Sequence, residues 1–379
     1  MDTLEASWLA DRGTRAIFDL LHPVPTFVVG GCVRNTLLGV PVKDIDFATA
    51  AHPETVIARA EAAGLRVIPT GIEHGTVTVL SHDQPFEVTT FRRDVETDGR
   101  RATVVFAETL EEDALRRDFT VNAIYVDALG RLHDPTGGIP DVAARRIRFI
   151  EDATRRIRED YLRSLRFFRF CAWYADPKAG MDADALDAIS RNLDGLETLS
   201  RERVGSELLR LLEAPDPAPA VAVMRTTGVL GRVLPGADDT LLATLVDLEH
   251  RHDVEPSALR RLAVLGGAHE TLRLSRADLL RVEAMRNGAG LHPKEAGYAH
   301  GYEAGRDALL IAAASTGQPV SATAFRDVRT GADAEFPIKA ADLMDEYQGK
   351  ALGDALRALE KRWIESGFTL SRDALLAKG

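Results

Sequence analysis

Hydrophobic and polar positions follow two different patterns along the chain, and the change comes near Asp141. Before it, apolar runs and period-two alternation are typical of strands, and one stretch between them has helical spacing. This series predicts an α/β domain with a mixed sheet. The predicted strands lie at 26–31, 74–81, 86–91, 119–127 and 131–134, and the predicted helix lies at 53–64.

After Asp141 the spacing of apolar residues is helical almost without interruption, and strand patterns do not recur. Ser200 is placed to cap one of these helices, and the proline-rich segment 214–220 predicts a joint between helical layers. The expected fold class is therefore an α/β head followed by all-α domains. The predicted helices lie at 141–150, 153–174, 201–212, 241–250 and 349–367.

Residues 92–103 form a polar, glycine-containing stretch with few apolar anchors, and they predict a long mobile loop between strands of the head. The chain has 379 residues, 45% of them hydrophobic, which is long enough for two to four domains. No stretch approaches the roughly 18 to 20 apolar residues of a membrane helix, and no export signal is recognisable. Cys32 and Cys171 have neither pairing nor metal-ligand spacing. We therefore expect a cytoplasmic protein with reduced thiols and no membrane association.

The formal net charge of −11 disfavours nucleic acid as a partner, but the charge is unevenly distributed. Between Arg145 and Arg169, nine arginines accompany four acidic residues, so this segment carries about +5. Two interpretations are open. The segment is either a solvated helix face with ion pairs one turn apart, or a surface that binds phosphates.

Residues 28–50 carry the most informative spacing in the chain. A predicted strand runs into Gly30 and Gly31, where the missing Cβ atoms let a phosphate approach the backbone. A short helix follows, and its first N–H groups face the same point. The next predicted strand carries Asp44 and Asp46 on one side. Adjacent carboxylates repel each other unless cations lie between them, so the spacing predicts a two-metal site for Mg²⁺.

These residues resemble the motif GGxVRDxLLGxxxxDxD of the class II, bacterial-type tRNA nucleotidyltransferases and of the related bacterial poly(A) polymerases. The resemblance implies that Gly30, Gly31, Arg34 and Lys43 bind the nucleotide. Asn35 stands where the family usually has Asp. An amide can cap a helix or form local hydrogen bonds, but it carries no charge.

A second block, residues 115–127, resembles the family's ribose- and phosphate-binding motif, which implies nucleotide-binding roles for Arg117, Asp118 and Asn122. Asp118 would favour ribonucleotides if it accepted a hydrogen bond from the ribose 2′-hydroxyl. A strand upstream resembles the one that follows the family's DxD hairpin. Glu87 on that strand is a candidate third catalytic acid, and an ordinary strand-edge glutamate is the alternative.

A third block contains Glu159, Asp160 and Arg163 and resembles the EDxxR motif with which the family reads the incoming base. On a helix, Asp160 and Arg163 lie one turn apart, so one side chain accepts and the other donates toward cytosine or adenine. A surface salt bridge is the alternative. Arg166 and Arg169 extend the same helix, and they either bind RNA or serve as packing stems.

The resemblance is tight from about residue 26 to 212 and looser beyond it. It implies an elongated molecule with RNA along one side and the RNA 3′ end entering between head and neck. The implied domains are a catalytic head at 1–140, a base-reading neck at 141–213, a body at 214–300 and a tail at 301–379.

The implied activity is addition of CMP and AMP, from CTP and ATP, to the 3′ end of tRNA, with two Mg²⁺ ions held by Asp44 and Asp46. Within the same chemistry, a poly(A) polymerase or an enzyme that adds only CC or only A remains open. An inactive RNA-binding module and a regulatory protein that binds small nucleotides are the alternatives from other classes. The sequence does not predict the oligomeric state.

Overall fold

The computed structural model describes residues 3–69, 71–95 and 103–377, and within these ranges it has nine strands and nineteen α-helices. They divide into two compact units, Met1–Thr198 and Leu199–Gly379. The strands are β1 Thr26–Val29, β2 Asp46–Thr49, β3 Arg66–Ile68, β4 Thr76–Ser81, β5 Gln84–Thr90, β6 Arg92–Val95, β7 Thr103–Phe106, β8 Tyr125–Val126 and β9 Leu132–His133.

All nine strands belong to the first unit, together with nine of the helices. These are α1 Ser7–Ala10, α2 Arg12–Leu21, α3 Gly31–Leu38, α4 Pro53–Ala62, α5 Leu110–Leu115, α6 Gly138–Ala143, α7 Ala153–Glu159, α8 Leu162–Tyr174 and α9 Ala183–Ser190. The second unit contains α10 Arg201–Leu212, α11 Ala218–Thr226, α12 Val229–Val233, α13 Leu242–Arg251, α14 Ala258–Leu265, α15 Arg276–Gly288, α16 Pro293–Thr316, α17 Ala322–Ala332, α18 Gly349–Glu365 and α19 Arg372–Leu376.

Seven strands form one mixed sheet in the order β3-β4-β5-β2-β1-β8-β9. Strands β2 and β5 are parallel, and the other neighbouring pairs are antiparallel. In this register Asp46 lies opposite Val29 on one side and Glu87 on the other. The predicted α/β head with a mixed sheet is confirmed, and the finer division into head, neck, body and tail stays a prediction.

Period-two alternation gives the central strands two buried faces. On one face Phe47 makes edge contacts with Phe18 of α2 and Phe86 of β5, with ring centroids 5.1 and 5.9 Å apart. On the other face Ala48 packs in a cluster that includes Ala114 of α5. Burying an aromatic side chain stabilises the fold by roughly 1.5 to 3 kcal/mol. Because Asp46 is two residues before Ala48, its side chain lies on the α5 face.

Three predicted elements differ from the structure. The strand expected to hold both acidic residues begins only at Asp46, and Asp44 precedes it in extended coil. Residues 119–127 form a 3₁₀ turn, Thr120–Asn122, and then the two-residue strand β8. The helix predicted at 141–150 ends at Ala143. Residues 119–127 are all buried, and a continuous apolar run does not distinguish a buried strand from a buried turn. In 141–150 the helix ends where residues 143–146 are exposed and Arg145 has a positive φ of 48°.

The loop predicted at 92–103 is partly wrong, because its two ends pair with each other. Strands β6 and β7 form an antiparallel ladder from Arg92 opposite Phe106 to Val95 opposite Thr103. The middle of the predicted loop, residues 96–102, lies outside the described residues. The polar composition of the stretch gave no sign of this short strand pair, because the pairing needs few apolar residues.

The second unit is helical through its described residues, as predicted. Ser200 caps α10, because its hydroxyl accepts a hydrogen bond from the Arg203 N–H. Helices α16 and α17 approach so closely that a Cβ atom added at Gly331 would lie 1.8 Å from the Lys294 carbonyl oxygen. Within the described ranges, no helix is long and apolar enough to cross a bilayer.

Helices α13, α14 and α16 are joined by a buried cluster of charged side chains. The Arg260 guanidinium lies 2.8 Å from the Asp307 carboxylate and 2.6 Å from the Glu249 carboxylate. Arg261 binds the second oxygen of Glu249 at 2.7 Å and also donates to the carbonyl of Leu212. All four side chains are buried. Such charges are tolerated in a core only when they are paired, so the cluster defines how the three helices fit together.

Candidate active site

The glycine turn lies where β1 passes into α3. Gly30 has φ 83° and ψ −129°, a conformation that residues with a Cβ atom rarely adopt, and it caps the helix that starts at Gly31. A Cβ atom built on Gly30 would lie 3.8 Å from Nη1 of Arg117. The structure therefore places the predicted phosphate-binding turn beside one of the predicted phosphate-binding arginines.

The acidic residues lie next to this turn. Asp46 is half-buried, and both Asp44 and Glu87 are exposed. Burial raises the pKa of Asp46 to about 6, with a further rise from the negative charges of Glu87 and Asp44 and an opposing effect from Arg117. Asp44 and Glu87 are thus close enough for their negative charges to disfavour ionisation of Asp46, and a bound cation would relieve this repulsion.

No three His, Cys, Asp or Glu side chains in the described part of the chain are arranged to hold a metal ion unaided. A Mg²⁺ ion does not require such a set, because it is usually held by one or two carboxylates together with water and substrate phosphates. Lys43 and Asp44 also line an open cleft of about 620 Å³, with Trp8 and Gln84 on its other walls. Of the three acidic residues, Asp44 lines this cleft, and Asp46 and Glu87 are not among its lining residues.

Arg117 is held in place by a side chain that the sequence analysis missed, Asp113 of α5. The Asp113 carboxylate accepts from Nε and Nη2 of Arg117 at 3.2 and 3.0 Å, from Nε of Arg116 at 2.8 Å and from the Tyr125 hydroxyl at 2.8 Å. Burial alone would raise the pKa of Asp113, but the two arginines and the hydroxyl outweigh it and hold the value at about 2. The spacing of an acid four residues before an arginine was the available signal.

The residues of the second block form a buried chain of hydrogen bonds. Arg166 donates to Oδ2 of Asp118 from Nε and Nη2, at 2.8 and 2.6 Å, and Nδ2 of Asn122 donates to Oδ1 at 2.9 Å. Arg34 in turn donates from Nη1 to Oδ1 of Asn122 at 2.5 Å. Although burial opposes it, Arg166 and Asn122 lower the pKa of Asp118. The predicted contact between Asp118 and a ribose hydroxyl stays a prediction, because both carboxylate oxygens already accept hydrogen bonds from the protein.

Arg34 is 6% exposed and is surrounded by protein groups. Its guanidinium lies 4.1 Å from the centroid of the Tyr174 ring and donates to the Tyr174 hydroxyl at 3.0 Å and to Oδ1 of Asn35 at 2.9 Å. Nδ2 of Asn35 donates to the Pro41 carbonyl at 3.0 Å. Arg34 therefore joins α3, α8 and the loop that leads to the acidic residues. Its predicted contact with the nucleotide stays a prediction, as does that of the exposed Lys43.

The sequence predicted that the EDxxR block lies on one helix. This prediction is wrong, because the block spans the break between α7 and α8. Helix α7 ends at Glu159, Asp160 has an extended backbone with φ −152° and ψ 105°, and α8 begins at Leu162. The break suits Asp160, whose carboxylate accepts from the Leu162 N–H at 3.1 Å. Glu159 and Arg163 form an ion pair at 2.6 Å, as the salt-bridge alternative describes, and Arg163 also donates to the Arg116 carbonyl at 3.1 Å. The third block is thereby connected to the second.

The arginine-rich segment makes many ion pairs within its own unit. Arg146 and Arg148 lie 2.5 and 3.0 Å from the buried Asp141 carboxylate. Ion pairs one helical turn apart also occur around Glu159, as the first of the two interpretations predicts. The Arg169 guanidinium lies 4.7 Å from the centroid of the Phe170 ring. RNA contacts by Arg166 and Arg169 stay predictions.

Two family descriptions match parts of the chain. Residues 26–148 match the Poly A polymerase head domain, and these residues contain the glycine turn, the acidic residues and Arg117. Residues 180–241 match the family described as probable RNA and SrmB-binding site of polymerase A.

Similar proteins extend this match to most of the chain. It is 32% identical to the human CCA tRNA nucleotidyltransferase 1, mitochondrial, over 92% of this chain and 85% of that protein. It is also 32% identical to the CCA-adding enzyme of Latilactobacillus sakei, over 92% of each chain. The crystal structure of Bacillus stearothermophilus CCA-adding enzyme in complex with CTP superposes with a TM-score of 0.73 and 27% identity, covering 94% of this chain and 93% of that one. The chain therefore belongs to the family of CCA-adding tRNA nucleotidyltransferases, which share the head domain of poly A polymerases.

Proposed function

We propose that the protein adds CMP and AMP, from CTP and ATP, to the 3′ end of tRNA and releases pyrophosphate at each step. The observation that carries the proposal is the meeting of three features beside the central strands β1, β2 and β5. These are the Gly30 turn, the carboxylate of Asp46 beside Glu87, and the guanidinium of Arg117. The names of the relatives supply the substrate, because they are CCA-adding enzymes and tRNA nucleotidyltransferases along most of their length.

Nucleotidyltransferases of this family generally need divalent metal ions. We propose that Asp44 and Asp46 hold two Mg²⁺ ions, with Glu87 as a third acid beside them. The negative charges of Glu87 and Asp44, which add to the effect of burial in raising the pKa of Asp46, support this assignment. When bound, the ions would lower the pKa of the attacking 3′-hydroxyl and neutralise charge on the triphosphate.

The chain's own residues would supply the positioning. The backbone at Gly30 and Gly31 leaves room for phosphate oxygens, the N–H groups of α3 point toward them, and Arg117 provides a fixed positive charge. Holding nucleotide and RNA end in a reactive geometry is worth up to roughly 7 to 11 kcal/mol of the barrier. Arg34 and Asn122 would act by holding α3 and the second block together.

Base selection would fall to Asp160 and Arg163. Arg163 is fixed by Glu159 and by the Arg116 carbonyl, so its remaining N–H groups have a defined direction. Cytosine and adenine both offer an amino donor beside a ring-nitrogen acceptor, which a carboxylate and a guanidinium can match. Uracil and guanine would leave buried groups unpaired, at a cost of roughly 1 to 3 kcal/mol for each.

The test of the proposal is incubation of the whole protein with tRNA that ends at the discriminator base. CTP and ATP are supplied alone and then together with Mg²⁺, and product length is measured. Extension by C, C and A supports the proposal. A long A tail identifies a poly(A) polymerase, and addition of only CC or only A identifies the partial enzymes. Absence of pyrophosphate release favours an inactive RNA-binding module, and absence of salt-dependent RNA binding favours a small-nucleotide regulator.

Substitution of Asp46 by Ala should leave a folded protein whose nucleotide incorporation is reduced by roughly three orders of magnitude or more. The reason is that the carboxylate nearest the glycine turn is lost while the sheet keeps its apolar contacts. Asp44→Ala should behave in the same way. Incorporation is measured with labelled CTP, and Asp19→Ala on the exposed side of α2 is the control. Near-normal activity of Asp46→Ala would refute the assignment.

We also propose that the protein acts in the cytoplasm. Both cysteines are free and buried, and burial raises the pKa of Cys32 to about 12, as suits an unreactive reduced thiol. One similar protein carries the word mitochondrial in its name. Fractionation of the source cells distinguishes the two locations.

A further inference from the structure

Asp113 is a carboxylate with 0% exposure beneath the proposed nucleotide site. Helix α5 brings it there, because Thr109 caps the helix by accepting from the Glu112 N–H and acidic residues fill the first turn. The first turn thus places a charged side chain toward the sheet instead of toward solvent. None of the three sequence blocks described above contains this residue.

The Asp113 carboxylate fixes one edge of the Arg117 guanidinium and leaves the other edge toward the glycine turn. Oδ2 of Asp113 accepts from both Nε and Nη2 of Arg117. Nη1, the remaining nitrogen, is the atom found 3.8 Å from a Cβ position at Gly30. Asp113 therefore sets the orientation of Arg117, because it binds the edge of the guanidinium that faces away from the glycine turn.

Tyr125 of β8 completes this support. Its hydroxyl donates to Oδ2 of Asp113 at 2.8 Å and accepts from Nε of Arg117 at 3.0 Å. Its ring centroid lies 5.3 Å from the centre of the guanidinium. Since Tyr125 is fully buried in the core beside the sheet, its hydroxyl holds Asp113 and Arg117 in fixed positions.

We propose that Asp113, supported by Tyr125, is a positioning residue that orients Arg117 toward the triphosphate of the incoming nucleotide. The inference rests on the proposed function in taking a nucleoside triphosphate as the ligand. When an unrestrained arginine side chain binds a phosphate, it loses conformational entropy because rotation about several of its bonds is restricted. An arginine that is already held in its binding orientation does not have this entropy cost. Asp113 therefore contributes to binding of the phosphates and not of the base or ribose.

The test compares two ligands of the whole protein by calorimetry, ATP with Mg²⁺ and adenosine. Asp113→Asn keeps the shape of the side chain but removes its charge, and we expect affinity for ATP to fall roughly tenfold. Affinity for adenosine should stay unchanged. Asp141→Asn is the matched control, because Asp141 is also fully buried and also pairs with two arginines, Arg146 and Arg148, neither of which is Arg117. It should lower thermal stability without changing the ratio of the two affinities.

A double-mutant cycle separates positioning from a merely structural role. If Asp113 acts through Arg117, Asp113→Asn should have little further effect on ATP affinity in an Arg117→Ala protein. An undiminished effect in that background overturns the proposal, and so does an equal loss of adenosine affinity. Should Asp113→Asn fail to fold, Tyr125→Phe replaces it, with an expected loss of about threefold for ATP alone. Unchanged ATP affinity in that variant counts against the proposal.

Failure of the positioning role and failure of the proposed function give different experimental results. The calorimetric comparison uses no tRNA, so a protein that bound ATP through Arg117 but never extended tRNA would retain the positioning role and lose the assigned reaction. A protein that extended tRNA with normal ATP affinity in Asp113→Asn would retain the reaction and lose the positioning role.

Discussion

At the scale of single residues, Asn35 lies between a hydrogen-bond donor, Arg34, and a hydrogen-bond acceptor, the Pro41 carbonyl. Its Oδ1 accepts from Arg34, and its Nδ2 donates to the Pro41 carbonyl. Only an amide both accepts and donates at fixed positions, whereas a carboxylate only accepts. Pro41 lies three residues before Asp44, so this side chain fixes the start of the segment that carries the first acidic residue.

Replacing Asn35 by Asp should therefore loosen that segment even though Asp is the usual residue of the family at this position. The pair with Arg34 would remain, but an oxygen would replace the donor facing Pro41. Loss of about 1 kcal/mol corresponds to roughly fivefold slower incorporation. Hydrogen exchange in residues 40–45 should be faster.

The matched control for this change is Asn192→Asp. Asn192 also accepts from an arginine, Arg158 at 3.0 Å, and donates to a carbonyl, Ala188 at 2.7 Å, but in the turn that follows α9. That variant should leave exchange at 40–45 and incorporation unchanged. If exchange in the two variants is the same, Asn35 has no special role in the segment.

Asp113 also makes stability depend on pH in a predictable direction. Its pKa is about 2 in the folded protein and 3.8 in the reference state, so the folded state holds this proton less tightly. Its ionised form therefore stabilises the fold above about pH 4, and the contribution is lost as the pH falls from 4 to 2. The shift corresponds to about 2 kcal/mol. In urea unfolding, the stability difference between the protein and Asp113→Asn should shrink by this amount between pH 7 and pH 2, and a constant difference would contradict it.

The sequence identified the residues whose chemistry is visible in their spacing. Gly30 and Asp46 meet as expected, because strand, turn and helix are local. The partners of the predicted residues were not predictable, since Arg166 lies 48 residues from the carboxylate of Asp118 that it contacts. Asp113 and Tyr125 were missed for the same reason, because their importance lies in a contact with Arg117 across the α5 face of the sheet.

At the scale of elements, the helix break at Asp160 shows what apolar periodicity cannot resolve. The pattern of 153–174 continues across the break, because both α7 and α8 bury apolar residues against the same unit. The signal for the break was local: an aspartate can accept from a backbone N–H two residues ahead and start a new helix. The same limitation applies to 119–127, where burial on every side gave a strand-like pattern.

Close packing of α16 against α17 gives a prediction about glycine. Gly331→Ala should destabilise the second unit by roughly 3 kcal/mol or more, because the new methyl group would overlap the Lys294 carbonyl. Gly231→Ala in α12 is the control, since nothing lies within 4 Å of its Cβ position and alanine is the better helix former by about 1 kcal/mol. Thermal and urea unfolding measure both variants, and equal stabilities would refute the packing argument.

At the scale of the whole molecule, the order of elements was predictable and the sheet order was not. Alternation and helical spacing indicated an α/β part followed by helices. The parallel pairing of β2 with β5, which places Glu87 beside Asp46, joins strands about forty residues apart. No local pattern specifies such a partner, and only the resemblance to a known family singled out Glu87 as a candidate third acid.

The net charge of −11 is likewise a property of the whole chain that hides its arrangement. Much of the arginine-rich segment pairs with acids of its own unit, including Asp118 and Asp141 from outside the segment. These acids offset part of the local surplus in the sequence. The charge count of the segment therefore overstates the positive charge that the fold leaves available to a phosphate backbone.

The buried charges of the second unit have a consequence for exchanging parts between relatives. Glu249, Arg260, Arg261 and Asp307 come from three helices, and each needs its partners to be tolerated in the interior. In a chimera whose junction separates α13 or α14 from α16, a buried charged side chain would lose its oppositely charged partner. Junctions for domain grafting in this half of the molecule should therefore keep the three helices from one parent.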